Sequence, residues 1–155
     1  MARFTSRNTT VQLVSGASSI TVGPGAGDFQ HGATNAENTE KVRLLDRGVF
    51  DGHVETDDLE QDWSISIKLR NQSQTHATLA RILDFIHKRG SFAGLTSVNP
   101  NPGVWAFQIV VTMVQGGVTA TRTLPCCVGT ETFAEAADGH TISLSGTNNG
   151  AIVVT

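Results

Sequence analysis

Tyrosine is missing from all 155 residues, tryptophan and cysteine occur twice each, and charged residues make up only 16%. The two cysteines, Cys126 and Cys127, are adjacent. On a strand they point to opposite faces, so they supply neither a disulfide framework nor a metal-ligand spacing, and they read as reduced core-edge residues. No apolar run approaches the roughly 18 residues that a membrane-spanning helix needs. The start, Met1 to Arg7, has no apolar core of a secretory signal, so a soluble product kept in the cytoplasm is expected. Lys and Arg form no cluster and the formal net charge is −3, against a protein that binds nucleic acid by neutralising phosphates. Gly23-Pro24-Gly25-Ala26-Gly27 lacks a Gly-Lys-Ser/Thr ending and opens no helix, so it is no phosphate cradle.

What the chain does have is local acidity. Seven of its fourteen acidic residues lie between Asp46 and Asp62, where only Arg47 opposes them, giving that stretch a formal charge of −6 and the remainder +3. Phe50, Gly52 and Val54 share one parity, and Asp51, His53, Glu55 and Asp57 the other. After the turn-like Asp57 to Gln61, Trp63, Ile65, Ile67 and Leu69 are apolar in phase, and Asp62, Ser64, Ser66, Lys68 and Arg70 are polar. The pattern predicts one amphipathic β-hairpin with an anionic face.

Elsewhere the sequence predicts many strands and one helix in a single domain, large enough to bury about two-thirds of its unfolded surface. Val11 to Val14 and Ser19 to Val22 flank a turn and form a first hairpin. Gly23 to Glu40 shows no periodicity and is expected to be a long loop. Leu79, Ile82, Leu83 and Ile86 define a helical stripe, with Ser73 or Thr75 as N-cap and Gly90 as C-cap. Lys41, Arg43, Arg81, Lys88 and Arg89 are then solvated. Val104 to Val114 is expected to be a central strand, turning at Gly116-Gly117 into Val118 to Leu124, with Pro125 at an edge or bulge. Shorter strands are expected at Thr130 to Ala134 and Thr141 to Ser145, and Ala151 to Thr155 is read as either a last strand or an extended tail. The fold class is mainly β, a sandwich or split barrel of about seven to nine strands with one flanking helix.

Three constellations bear on chemistry. Asp51, His53 and Glu55 offer imidazole and carboxylates on one strand face, but the same spacing arises on any solvated strand, which is the preferred reading. Asp57, Asp58, Glu60 and Asp62 contain pairs of carboxylates, yet only Leu59 offers the apolar cover that raises an acid's pKa. Cys126 and Cys127 have no flanking residue that activates a thiolate. No enzyme, metal or cofactor is predicted.

The order of parts resembles the tail tube proteins of long-tailed bacteriophages. The likeness rests on Asp46 to Asp58 leading into Trp63-Ser64-Ile65-Ser66-Ile67-Lys68-Leu69, then the single helix, then the Trp105 strand and its hairpin through Leu124. It closes with Gly129 to Glu135 and Thr141 to Thr147, so it covers roughly Lys41 to Thr147. The resemblance implies a structural virion protein, without catalysis or cofactor. Six copies would close a ring whose inner sheets join into a β-barrel, and rings would stack into a hollow tube. Tape-measure, tail-completion and baseplate or tip proteins would be partners, and double-stranded DNA would pass through unbound. The place of action would be the virion tail, after assembly in the host cytoplasm. An anionic bore suits such a conduit, since like charge keeps a polyanion from adhering. On this reading Asp51, Glu55, Asp57, Asp62, Ser64, Ser66 and Lys68 face the bore, and Gly25, Asp28, Phe29 and Leu59 contact the next ring. A capsid decoration protein shares the β-rich profile but has no need of a long acidic face. A carbohydrate-binding sandwich would present exposed aromatics, and both tryptophans here are on apolar parity.

Overall fold

A computed structural model describes residues 8–24, 27–32, 41–46, 49–55, 60–69, 76–98, 104–137 and 139–155. The chain is mainly β, as its composition and alternation predicted. Its strands are β1 (Thr9–Ser15), β2 (Ser18–Pro24), β3 (Gly27–His31), β4 (Lys41–Asp46), β5 (Val49–Glu55), β6 (Glu60–Leu69), β7 (Phe107–Gln115), β8 (Val118–Ala136), β9 (Gly139–Asn149) and β10 (Val153–Val154), with helix α1 (His76–Ile86) between β6 and β7. Eight strands form one antiparallel sheet in the order β2-β1-β7-β8-β9-β6-β3, with β10 beside β8, and β4-β5 make a separate two-stranded sheet. No ladder joins β2 to β3, so the curled sheet stays an open barrel.

Turn chemistry sets the hairpins. Gly16 (φ 59) opens the two-residue loop between Ser15 and Ser18, and Gly116 (φ 57) and Gly117 (φ 82) make the loop between Gln115 and Val118. Both central positions of the second loop need positive φ, which is the primed turn that matches strand twist and that glycine adopts without a steric penalty.

β8 is the strand that organises the sheet. Its first half pairs with β7, from Gln115↔Val118 to Phe107↔Cys127, and its second half pairs with β9, from Cys127↔Asn148 to Ala136↔Gly139. The bulge expected near Pro125 is present as a register shift between Phe107 and Ile109, opposite Cys127 and Leu124. The separate short strand expected at Thr130 to Ala134 is instead the far half of this single strand, which passes through its proline because the bulge absorbs the missing donor.

Two further expectations are corrected. Asp46 to Arg70 is not one hairpin: β5 pairs with β4, and β6 pairs with β3 and β9. Alternation fixes which face a residue takes but is silent about the partner strand, and β4 reaches β5 across two residues whereas β9 matches β6 over its whole length. The segment from Gly23 to Glu40 is not one loop either, because Gly23 and Pro24 finish β2 and Gly27–His31 form β3. Among the described side chains of this segment it is Phe29 that packs against the core, and one anchor was too few to reveal a period.

The core fills the inside of the sheet with Leu13, Ile20, Ile65, Ile109, Leu124, Ile142 and Leu144, capped by Ile82, Phe85 and Ile86 of α1 and by Phe92 in a 3₁₀ turn at Gly90–Phe92. Each such side chain contributes roughly 1.5–3 kcal/mol by leaving water. Phe85 is the hub, edge-on to Phe92 at 5.5 Å, Trp105 at 5.8 Å and Phe107 at 5.5 Å. Arg81, Lys88 and Arg89 are exposed, as expected. The helix stop differs: Lys88, not Gly90, takes the first left-handed position (φ 52), with its N–H bonded to Phe85 O and the Arg89 N–H bonded to Asp84 O.

Candidate functional site

The second half of the sheet, β3-β6-β9 with the distal half of β8, carries an outward face made largely of small hydroxyl residues. Strand parity dictates this. On β6, Trp63, Ile65 and Ile67 are buried, which turns Asp62, Ser64 and Ser66 outward. On β9, Ile142 and Leu144 are buried, which turns out Ser143, Ser145 and Thr147.

Register aligns these positions in rows across the strands. Gln30, Ser64, Ser145 and Thr130 form one row, Ser66, Ser143 and Thr132 the next, and Asp62, Thr147 and Val128 a third. Among the described side chains at these outward positions, Asp62 is the only ionisable one. The register also sets Asp28 opposite Ser66, and Lys68 opposite Thr141.

Behind the face, Trp63 crosses the strands where β6, β9 and β8 meet in the row Trp63-Gly146-Gly129. Its Nε1 donates to Thr147 O at 3.1 Å, and its ring meets Phe107 edge-on at 6.0 Å. Asn148, on the same inward parity, is fully buried and satisfied. Its Nδ2 donates to Gln61 Oε1 at 3.2 Å and to Gly150 O at 2.9 Å, and its Oδ1 accepts from the Cys126 N–H at 3.1 Å. Hydrogen-bonded polar groups inside a core are costly to disturb, so this network pins the ends of β6 and β9 to the bulge in β8.

At one end of the face lies an open recess of about 570 Å³ lined by Gln30, His31, Asp62, Ser64, Ser145 and Thr147. The Gly32 N–H donates to Asp62 O at 2.8 Å and closes the ladder there. His31 Nδ1 lies 3.1 Å from Gly32 O, and its Nε2 lies 3.2 Å from Arg122 Nη1 on β8. With Nδ1–H donating to the carbonyl and Nε2 accepting from the guanidinium, a neutral imidazole satisfies both contacts. Trp63 also borders the recess but is only 2% exposed, so it offers no stacking platform.

No protein-family model, curated protein or solved structure matches this chain.

The residues expected to line a bore divide into two groups. Asp62, Ser64 and Ser66 stand together on the hydroxyl face, with Lys68 in the same strand, whereas Asp51 and Glu55 fall on β5 in the other sheet. Asp57, Gly25 and Leu59 lie outside the described residues. Asp28 and Phe29 belong to β3, where Phe29 packs against the core. The side chains of Asp51, His53 and Glu55 are outside the description, and among the described residues no three His, Cys, Asp or Glu side chains gather in a way that could hold a metal. Cys127 is buried, and desolvation pushes its thiol up to about 12, with a weaker rise at Cys126 of the same cause, which leaves both poor nucleophiles at neutral pH. No described helix is long and apolar enough to cross a membrane.

Sequence reasoning did not place Gln30, His31, Arg122, Thr130, Thr132, Ser143, Ser145 and Thr147 at this site. The alternation Thr141-Ile142-Ser143-Leu144-Ser145 carried part of the signal, since it marks which residues turn outward. What it lacked was the knowledge that β9 lies beside β6.

Proposed function

We propose that the chain is a structural tail tube subunit of a bacteriophage, which closes into rings that stack around a bore for DNA. The reading rests on the resemblance in layout from Lys41 to Thr147, and one structural observation carries it: a four-stranded half-sheet whose outward face is a carpet of Ser, Thr, Gln30 and Asp62 with no cationic cluster among the described side chains. A wall of this kind suits a duplex that must slide. Short hydroxyls hold water, no paired Lys and Arg gather phosphates, and Asp62 repeated around a ring adds like-charge repulsion. The bore-facing set on this reading is Asp62, Ser64, Ser66 and Lys68 joined by Gln30, Ser143, Ser145, Thr130 and Thr132. Asp51 and Glu55, being in the other sheet, belong with a hairpin free to meet the next ring. The chain acts as scaffold in the virion tail, not as a catalyst.

Negative-stain microscopy of the purified full chain tests this. Rings or tubes with a central hole are expected. A protein that stays monomeric at high concentration and across salt conditions overturns the reading.

A further inference from the structure

We propose that in the assembled ring the free edge of β8 pairs with β3 of the next copy, in the antiparallel register that sets Glu131 opposite His31 and Phe133 opposite Phe29. The inference rests on the ring reading above and names the two edges that would make the joint.

Direction is the first argument. The half-sheet runs β8-β9-β6-β3 with three antiparallel joints, so β8 and β3 point in opposite senses. Rotating a copy about an axis roughly along the strands keeps every strand direction. It therefore brings β3 of the neighbour alongside β8 as a fourth antiparallel joint, and the pattern repeats around the circle without a mismatch. This is a heterologous contact that closes by rotation.

Both edges are available. Among the described residues, β8 from Val128 to Ala136 is hydrogen-bonded to β9 only, and β3 to β6 only. Such rows of unpaired N–H and C=O groups are templates for strand addition.

Side chains choose the register. Phe133 pairs with Ile142, which is buried at 2%, so it sits on the core side of the sheet, yet it stays 55% exposed at a margin where the ring of His140, 5.4 Å away, gives it only partial cover. Glu131 and Glu135 flank it on the same parity. On β3 the core-side residues are Phe29, already packed against the core, and His31, in contact with Arg122 at 3.2 Å. In the proposed register Phe133 lies beside the neighbour's Phe29, and Glu131 meets the neighbour's pair of His31 and Arg122. Acid then faces cation and ring faces ring. On the hydroxyl face, Thr132 comes opposite Gln30, and both are exposed in the single copy.

Cross-linking distinguishes this joint from the ring itself. Residues directly opposite on antiparallel strands have Cα atoms about 4.5–5.5 Å apart, within disulfide range. A chain carrying Gln30→Cys and Thr132→Cys together with Cys126→Ser is expected, on mild oxidation, to give a covalent ladder ending at the closed ring, whereas either cysteine alone gives none. Rings in the microscope without that ladder overturn the edge assignment and leave the tube reading standing. Neither rings nor ladder overturns both, and a ladder without rings supports the joint while the tube reading fails. Charge provides the second arm. Glu131→Arg and Arg122→Glu are each expected to weaken assembly at least tenfold, and combining them to restore it; wild-type assembly by both single variants overturns the register.

Discussion

The indole of Trp63 occupies the space that a side chain on Gly129 would need. A Cβ built on Gly129 stands 2.5 Å from Cζ2 of Trp63 and 3.0 Å from Ser145 O, and one built on Gly146 collides with the backbone of Val128 and Gly129. Gly129 thus forgoes a side chain so that the tryptophan can lie across β8, and Gly146 forgoes one because the β8 backbone comes too close, which together hold β6, β9 and β8 in register beneath the hydroxyl face. Gly129→Ala is therefore expected to destabilise by roughly 1–3 kcal/mol, the cost of overpacking a filled core. In thermal melts of a domain this size that is a fall of about 2–10 °C. Gly146→Ala should cost more, because its clash is with backbone, which cannot rotate away. Thr130→Ala, next along β8 but facing outward, is the control and should melt within about 2 °C of wild type. An unchanged melting temperature for Gly129→Ala would mean that Trp63 does not lie where described.

Asn148 offers a separate test. Its side chain completes four hydrogen bonds at the junction of β6, β9 and the bulge, one of them a long contact of 3.8 Å from the Cys127 thiol, and it has no exposure. Replacing it by alanine leaves the Gln61 amide oxygen, the Gly150 carbonyl and the Cys126 N–H without partners, and each deprived buried group costs roughly 1–3 kcal/mol, partly relieved where water can enter. A loss of about 2–5 kcal/mol in denaturant unfolding is expected for Asn148→Ala. Gln61→Ala should show a smaller loss, and the double variant should fall short of the sum, since both remove one shared bond. Strict additivity would sink the network.

The apolar half of each strand was legible in the sequence, and the partner of each strand was not. Trp63, Ile65, Ile67, Ile142 and Leu144 declared themselves by period two, and Ser64, Ser66 and Ser143 followed as their outward neighbours. Pairing is a long-range choice, however, and the acidic run suggested a hairpin that the ladders divide between two sheets. The run read as one anionic face from Asp51 through Asp62 is accordingly divided between strands of two sheets. Its sheet portion is mostly hydroxyl, with Asp62 as its described carboxylate. β3 went unseen for a different reason: one anchoring residue, Phe29, amid glycine and polar neighbours gives no alternation to count. Cross-strand features such as the meeting of Trp63 with Gly129, or of His31 with Arg122, depend on topology alone.

Alkaline pH should weaken the fold through Cys127. Burial raises this thiol from 9.0 to about 12, against small opposing help from a backbone hydrogen bond with Ile109. Below pH 9 both folded and unfolded chains hold the proton. Between about 9 and 12 the unfolded chain releases it while the folded chain keeps it, so stability falls as pH rises through that window. Denaturant midpoints measured from pH 8.5 to 11 should decline, and Cys127→Ala, though less stable at neutral pH for want of its sulfur, should decline less. The same burial predicts that a thiol reagent at pH 8 leaves Cys127 untouched until the chain unfolds, and that Cys126, only partly covered, reacts slowly. Rapid modification of two thiols in the native protein would contradict the placement of Cys127.

The helix stop inverts a familiar preference. Lys88 stands in the left-handed position that glycine normally fills, at a cost of roughly 1–2 kcal/mol for a residue with a Cβ, while its ammonium sits 5.4 Å from the Trp105 ring centre. That attraction recovers roughly 0.5–1 kcal/mol at an exposed site. Lys88→Ala keeps the strained backbone and loses the attraction, so it should destabilise by about 0.5–1 kcal/mol. Lys88→Gly loses the same attraction but relieves the backbone, so it should be more stable than Lys88→Ala by about 1 kcal/mol. At Arg81, exposed within α1, the order should reverse, with glycine less stable than alanine by about 1 kcal/mol. Measuring all four variants by urea unfolding decides the matter. If alanine matched or exceeded glycine at position 88 as it does at 81, the helix would have to end elsewhere, and the hydrogen bond from Arg89 N–H to Asp84 O would not be its terminus.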